Sequence, residues 1–184
     1  YRAKQRGRDT FHLFDPNHDR LLQVRHEQRQ RFIDALTHNE LCLYYQPQVD
    51  MRSGKVVGLE ALIRWQHPED GLLAPGQFLP IIDTTPLEVD LGEWVIERAL
   101  RQLSEWQVQG IALPINVNIS PTHLLVSDFS QRLGKLLARY PDVPPVMLKL
   151  EVLESAAMHD IQAALQNMAR CQSLGVSFAI DDFG

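Results

Sequence analysis

Cysteine is scarce in this chain of 184 residues, which has only Cys42 and Cys171 and no Cys-x-x-Cys pair. The sequence therefore predicts neither a disulfide framework nor a cysteine-based zinc site, and we expect a reducing, cytoplasmic setting. No apolar run approaches the roughly 20 residues that a membrane span needs, and no signal peptide opens the chain. We expect no membrane span within these residues, although N-terminal sensory segments of a longer protein could anchor it.

Positive charge is also in short supply, with 18 Lys and Arg residues against 23 Asp and Glu residues and a net charge of −5. A mildly acidic chain argues against a DNA- or RNA-binding protein, because such proteins need a basic surface for the phosphate backbone. A small anionic ligand can still bind where a metal ion supplies the positive field. The hydrophobic content of 45% is typical of a globular protein of one or two domains.

Helix and strand patterns alternate along the chain, which is typical of parallel βα units. The first two strands are joined by a short turn and should pair antiparallel. The region rich in Gly and Pro at 66–80 is interpreted as a long loop, either a binding loop or a rigid cap. Helices are predicted at 21–38, 91–109, 129–140 and 161–174, and strands at 41–50 (interrupted by Pro47), 57–65, 115–120, 147–154 and 176–184.

The predicted strand from Val57 to Trp65 carries a carboxylate, Glu60, and a guanidinium, Arg64. Because strand side chains alternate with period two, these two groups lie on one face. Burying either charge without a partner costs several kcal/mol by rough estimate. The pair therefore indicates either a functional site or a structural Glu–Arg ion pair, and this strand alone leaves both interpretations open.

Polar side chains collect toward the ends of four predicted strands. In a (β/α) barrel the carboxyl ends of the strands form the active face, so these residues should share one rim. Carboxylate and amide oxygens suit Mg²⁺ or Mn²⁺ better than Zn²⁺. The residues are Glu60 and Arg64, Asn118 and Ser120, Glu151 and Glu154, and Asp181 and Asp182.

The seven histidines are scattered among predicted turns and helices, and none is assigned to this site. His123 and His159 lie close to strand ends. We expect both to be solvated loop residues.

The run Glu60-Ala61-Leu62 followed by Ile63-Arg64-Trp65 resembles the signature of the EAL-domain cyclic di-GMP phosphodiesterases. Matches to the family's other motifs extend over residues 41–184. Together these motifs are specific for the family, whereas Glu-Ala-Leu alone is too short to indicate it. They are Tyr45-Gln46-Pro47, the loop from Gly71 to Pro80, Val117-Asn118-Ile119-Ser120, Glu151-Val152-Leu153-Glu154-Ser155 and Asp181-Asp182-Phe183-Gly184.

This resemblance implies an incomplete TIM-type (β/α) barrel behind a linker helix, in an enzyme that hydrolyses cyclic di-GMP to linear pGpG with one or two Mg²⁺ or Mn²⁺ ions. It implies three groups of site residues. The implied metal ligands are Glu60, Asn118, Glu151, Asp181 and Asp182, of which Glu60, Asp181 and Asp182 are also catalytic. Glu154 is implied to support a catalytic loop. The implied substrate contacts are Gln46, Leu62, Arg64 and Pro80.

The first residues, Tyr1-Arg2-Ala3-Lys4 and then Gly7-Arg8, resemble the last helix of a GGDEF domain. The resemblance therefore implies a tandem GGDEF–EAL protein: residues 1–18 are the tail of the GGDEF domain and linker, 19–39 the connecting helix, and 40–184 the N-terminal part of the EAL domain. The family's catalytic Lys and a further metal-binding Glu would follow Asp-Asp-Phe-Gly, so we expect this span alone to be inactive.

Two alternatives to an enzyme remain open at this point. An EAL domain can be an inactive receptor for cyclic di-GMP, or a module that regulates the neighbouring GGDEF domain. A homodimer is a further expectation of the resemblance. Two departures from the family pattern, Leu153 and residues 82–86, concern local loop geometry and remove no metal ligand.

Overall fold

A computed structural model of the chain describes the backbone of residues 16–153 and 160–181 and the side chains of residues 20–152 and 160–179. Helices and strands alternate within those ranges. In chain order they are α1 (Pro16–Thr37), β1 (Leu41–Val49), β2 (Val56–His67), β3 (Gly71–Leu73), α2 (Pro75–Ile82), α3 (Leu87–Val108), β4 (Ile115–Ile119), α4 (Pro121–Leu124), α5 (Phe129–Ala138), a 3₁₀ turn (Pro145–Met147), β5 (Leu148–Leu153), α6 (Ile161–Gln172) and β6 (Ser177–Asp181).

The strands form a six-stranded sheet in the order β1-β2-β4-β5-β6, and β3 pairs with β2 outside that path. β1 and β2 run antiparallel, from Leu41 opposite Trp65 to Val49 opposite Val56, as the short turn predicts. β2, β4, β5 and β6 are all parallel to one another, which confirms the predicted βα units. The carboxyl ends of these four strands therefore meet at one edge of the sheet.

The two faces of the sheet differ in chemistry because the side chains alternate along each strand. On β4, Ile115, Val117 and Ile119 are buried in the hydrophobic core, which also contains buried residues of α3, α4, α5 and α6. The opposite face of β4 carries Asn116 and Asn118. The helix-covered face thus holds the sheet together, and the other face is left for polar groups.

The long helix α1 is attached to the rest of the chain through its C-terminal half. Phe32 is fully buried and its ring lies 5.6 Å from Trp65 and 5.9 Å from Phe78. Arg29 Nε donates a hydrogen bond to the carbonyl of Ile81, and residues 20–28 are exposed.

None of the helices that the structure describes has the length and apolar character required to cross a membrane.

Two sequence predictions in the first half of the chain are wrong. The region 66–80 is not a long loop, because β2 continues to His67 and is followed by β3 and most of α2. Pro47 does not interrupt β1, which runs without a break from Leu41 to Val49. β1 lies at the edge of the described sheet, where the missing N–H of a proline is best tolerated.

His123 is also not the solvated loop residue that the sequence predicts, since it is only 1% exposed. The short helix α4 follows β4 directly, and the Ser120 hydroxyl accepts a hydrogen bond from the backbone N–H of His123. The imidazole packs edge-on against Phe129, with 4.8 Å between ring centroids, and beside Gly92 of α3. Burial lowers the pKa of His123 to about 4, so the ring is neutral at pH 7. His159 lies outside the described residues.

Gly92→Ala should destabilise the protein, because a methyl group on Gly92 would lie 2.1 Å from His123 Nδ1. Overpacking of this kind costs about 1–3 kcal/mol, which urea denaturation would measure as a lower free energy of unfolding. Gly76→Ala is the matched control, since a methyl group there meets nothing within 4 Å. Combining Gly92→Ala with His123→Ala should cost less than the sum of the two single changes, and additive losses would contradict the contact.

Stability should also fall as the pH is lowered from about 6.5 to about 4, because the unfolded chain then binds a proton at His123 that the folded chain excludes. The loss attributable to this residue is about 3 kcal/mol at the acid end of that window. Urea denaturation of the wild type and of His123→Gln at several pH values would measure it. The variant should lose less stability over the window, and equal losses would show that His123 does not carry the effect.

Candidate metal and substrate site

Glu60 lies on the polar face of β2, where its carboxylate is half-buried. Asn118 of the neighbouring strand β4 donates a hydrogen bond from Nδ2 to Glu60 Oε1 over 2.9 Å. Of the ion pairs described in residues 20–152 and 160–179, none joins Glu60 to Arg64. The structural ion pair left open by the sequence is therefore absent, and Glu60 turns toward the centre of the sheet.

Glu151 lies on the same face of the sheet, two strands away on β5, and is also half-buried. Its Oε1 accepts a hydrogen bond of 2.5 Å from Nδ2 of Asn116. The same nitrogen donates a second hydrogen bond of 2.8 Å to Oε1 of Gln48 on β1. Asn116 is only 3% exposed, so this amide lies beneath the surface of the site.

The two asparagines of β4 reach diagonally to the carboxylates on either side. In the register of the sheet, Asn116 is opposite Glu60 and Asn118 is opposite Glu151. The hydrogen bonds nevertheless join Asn118 to Glu60 and Asn116 to Glu151. Each carboxylate therefore accepts a hydrogen bond from one asparagine of the strand that lies between them.

The remaining acidic residues predicted for the site lie at or beyond the limits of the described structure. The backbone of Asp181 belongs to β6 and is opposite Leu153, further toward the carboxyl edge than the pair Glu151–Ala179. The position of its side chain is not described, and Asp182 and Glu154 lie outside the described residues. The described side chains alone contain no cluster of three or more His, Cys, Asp or Glu residues suited to a metal ion.

The described donors at this site have the chemistry that a hard divalent cation requires. Glu60 and Glu151 supply carboxylate oxygens, and Asn118 supplies an amide beside them. Mg²⁺ and Mn²⁺ prefer such oxygen ligands, whereas a thiolate would favour zinc. Cys171 is buried in α6, and burial raises the pKa of its thiol to about 11. The residues present therefore fit Mg²⁺ or Mn²⁺.

Three of the four predicted substrate residues belong to the sheet face that carries Glu60. Leu62 and Arg64 follow Glu60 at alternate positions of β2, and exposed Gln46 is opposite Glu60 in the β1–β2 register. Arg64 Nη1 donates a hydrogen bond to the carbonyl of Ile63, and its guanidinium lies 5.6 Å from the centre of the Tyr44 ring. Pro80 is instead exposed within α2, outside the sheet.

Gln48 and Asn116 are not among the site residues predicted from the sequence, yet Asn116 donates to Glu151 and also to Gln48. The alternation of Ile115, Asn116, Val117 and Asn118 already places both asparagines on one face. A second asparagine on a strand otherwise buried is the signal that could have drawn attention to Asn116, because a buried amide needs partners.

The fold and the acidic face of the sheet are those of an EAL domain, and the chain belongs to this family: the model of the EAL domain matches residues 29–184. The predicted family membership and incomplete TIM-type barrel are thereby confirmed. A curated relative, the bifunctional diguanylate cyclase/cyclic di-GMP phosphodiesterase MucR of Pseudomonas aeruginosa, is 40% identical over 189 residues, covering all of this chain and 27% of MucR.

A second relative from the same organism, the cyclic di-GMP phosphodiesterase PA2567, is 36% identical over 142 residues, 77% of this chain and 24% of its own length. The chain thus spans about a quarter of the length of either relative.

Among solved structures, the MucR phosphodiesterase in complex with c-di-GMP superposes with a TM-score of 0.80 at 40% identity, covering 86% of this chain and 64% of that one. The EAL enzyme Bd1971, bound to cAMP and cyclic di-GMP, also gives a TM-score of 0.80, at 30% identity over 89% of this chain and 45% of that one.

Proposed function

We propose that the protein containing this chain hydrolyses cyclic di-GMP to linear pGpG with the help of Mg²⁺ or Mn²⁺, and so controls the level of this bacterial second messenger. The observation that carries the proposal is the placement of Glu60, Asn118 and Glu151 on one face of the sheet in an EAL domain. The relatives MucR and PA2567, both described as cyclic di-GMP phosphodiesterases, support this substrate.

The metal site in this proposal is built from the polar face of the parallel strands. Glu60, Asn118, Glu151 and Asp181 would hold one ion, and Asp182 would contribute to a second. When bound, the divalent cation would lower the pKa of a water molecule and offset the charge of the phosphodiester. Glu154 would support the loop that follows β5. These assignments draw on the motifs of the sequence and on the placement of the three described donors.

The substrate side of the proposal depends on β1 and β2. The planar guanidinium of Arg64 would bind a phosphate oxygen, for which its paired N–H donors are suited. Tyr44 supports the guanidinium through its ring face. Gln46 and Leu62 would contact the dinucleotide from the same face of the sheet, and Pro80 would do so from α2. Their combined role would be to orient the phosphodiester toward the acidic group.

The domain arrangement is proposed on the same family pattern. Residues 1–18 would close an upstream GGDEF domain, 19–39 would connect the domains, and 40–184 would begin the EAL domain. The catalytic Lys and a further metal-binding Glu would be supplied by the remainder of the protein, so we expect hydrolysis from the longer protein and not from this span. A cytoplasmic location and a homodimer belong to the same proposal.

Replacing Glu60 by Gln should abolish metal-dependent hydrolysis, because the amide cannot supply a carboxylate ligand. Mn²⁺ affinity should fall by at least the roughly 10–100-fold that is typical when a residue behind a metal ligand is removed, and hydrolysis should fall with it. Calorimetric titration with Mn²⁺ and an assay for pGpG would both measure it in the full-length protein. Glu69→Gln, the same change in an exposed turn, is the control. Unaltered Mn²⁺ affinity in Glu60→Gln would contradict the assigned role.

Replacing Arg64 by Ala should mainly weaken binding of cyclic di-GMP and leave Mn²⁺ affinity unchanged. A hydrogen bond to a charged group contributes about 1.5–3 kcal/mol, which corresponds to a roughly 10- to 100-fold higher Kd. Calorimetric titration of the protein with cyclic di-GMP, in a buffer that contains Ca²⁺, would measure the effect. Arg170→Ala, on the exposed side of α6, is the control. Equal affinity in Arg64→Ala and the wild type would show that Arg64 does not bind the phosphate.

The same titrations separate the enzyme from a receptor. A full-length wild type that binds cyclic di-GMP and Mn²⁺ but releases no pGpG would overturn the proposed hydrolysis and favour the receptor. A protein that binds neither would favour a regulatory module for the GGDEF domain.

A further inference from the structure

Asn116 is an unusual group to find beneath the site, because a buried amide without partners destabilises a protein by about 1–3 kcal/mol. Its two N–H donors are both engaged, one by Gln48 Oε1 at 2.8 Å and one by Glu151 Oε1 at 2.5 Å. The three residues come from β1, β4 and β5, which are distant in sequence. The contact therefore joins an edge strand to an acidic residue on the far side of β4.

The orientation of the Asn116 amide follows from the chemistry of its neighbours. The NH₂ of Asn116 faces Glu151, whose Oε1 accepts the hydrogen bond. The other hydrogen of that NH₂ then needs an acceptor, which Gln48 supplies with its side-chain oxygen. Gln48 in this way satisfies the second N–H of the Asn116 amide and holds it in place.

Gly58 provides the space in which Gln48 can reach Asn116. In the sheet β2 lies between β1 and β4, and Gly58 is the β2 residue opposite Gln48. A Cβ atom at Gly58 would lie 3.5 Å from Gln48 Oε1 and 3.4 Å from Pro114. A large side chain there would occupy the path of Gln48, whereas glycine leaves it open across the intervening strand.

We infer that Asn116, held by Gln48, is a positioning residue that fixes the carboxylate of Glu151 for binding of the divalent cation. The hydrogen bond occupies Glu151 Oε1 and restricts rotation of the carboxylate, so that Oε2 is left to face a cation. Asn116 itself need not touch the ion. Partners behind metal ligands commonly contribute 10- to 100-fold in metal affinity. This inference rests on the proposed role of Glu151 as a metal ligand.

The experiment is a calorimetric titration of the purified full-length protein with Mn²⁺, supported by electron paramagnetic resonance of the free ion. Asn116→Ala should weaken Mn²⁺ binding about 10-fold or more. Gln48→Met, which keeps the shape of the side chain but removes the acceptor, should weaken it in the same direction by a smaller factor. This second variant replaces a half-buried residue of an edge strand and keeps the test available if Asn116→Ala does not fold.

Asn167→Ala is the matched control, because Asn167 is another buried amide, 4% exposed, whose Nδ2 donates to the carbonyls of Leu124 and Val126. It should lower the thermal midpoint but leave Mn²⁺ affinity unchanged. A wild type that binds no Mn²⁺ would overturn the proposed function and this inference together. A wild type that binds Mn²⁺ with the same affinity as Asn116→Ala and Gln48→Met would overturn the inference alone.

Discussion

The acidic face of this EAL domain depends on β4, whose two asparagines supply a hydrogen-bond donor to a carboxylate on each side. A carboxylate that is removed from water without a hydrogen-bond donor destabilises the fold, so each half-buried acid needs a partner. Asn118 serves Glu60 and Asn116 serves Glu151, each along a diagonal of the sheet. A slip of one residue in either strand pair would turn the donors to the other face. The register of three strands is therefore a chemical requirement of the site.

The opposite face of the sheet maintains that register. Ile115, Val117 and Ile119 alternate with the asparagines and are buried in the core. At the end of β4, the chain turns through Ser120 into α4, where His123 fits against Gly92 without room for a β-carbon. The close packing on the helix side thus restrains the strand that carries the polar groups on the other side.

β2 connects this site to the helix that precedes the domain. Arg64 and Trp65 are neighbours in sequence but lie on opposite faces, Arg64 with Glu60 and Trp65 in the core. Trp65 packs against Phe32 of α1, and its indole N–H donates a hydrogen bond of 3.0 Å to Glu40, which also pairs with Arg31. The strand that bears the first acid of the site is therefore in direct contact with the anchored half of α1.

Local patterns in the sequence determined most of the elements and the face of each strand, because periodicity reports which side of a helix or strand is buried. They placed Glu60, Asn118 and Glu151 on corresponding strands for the same reason. They did not distinguish a Glu60–Arg64 ion pair from a Glu60–Asn118 hydrogen bond, nor detect the burial of His123, the short elements within 66–80 or the link from Gln48 to Glu151. Each of these depends on partners remote in the chain, and only the packing of the sheet against its helices brings those partners together.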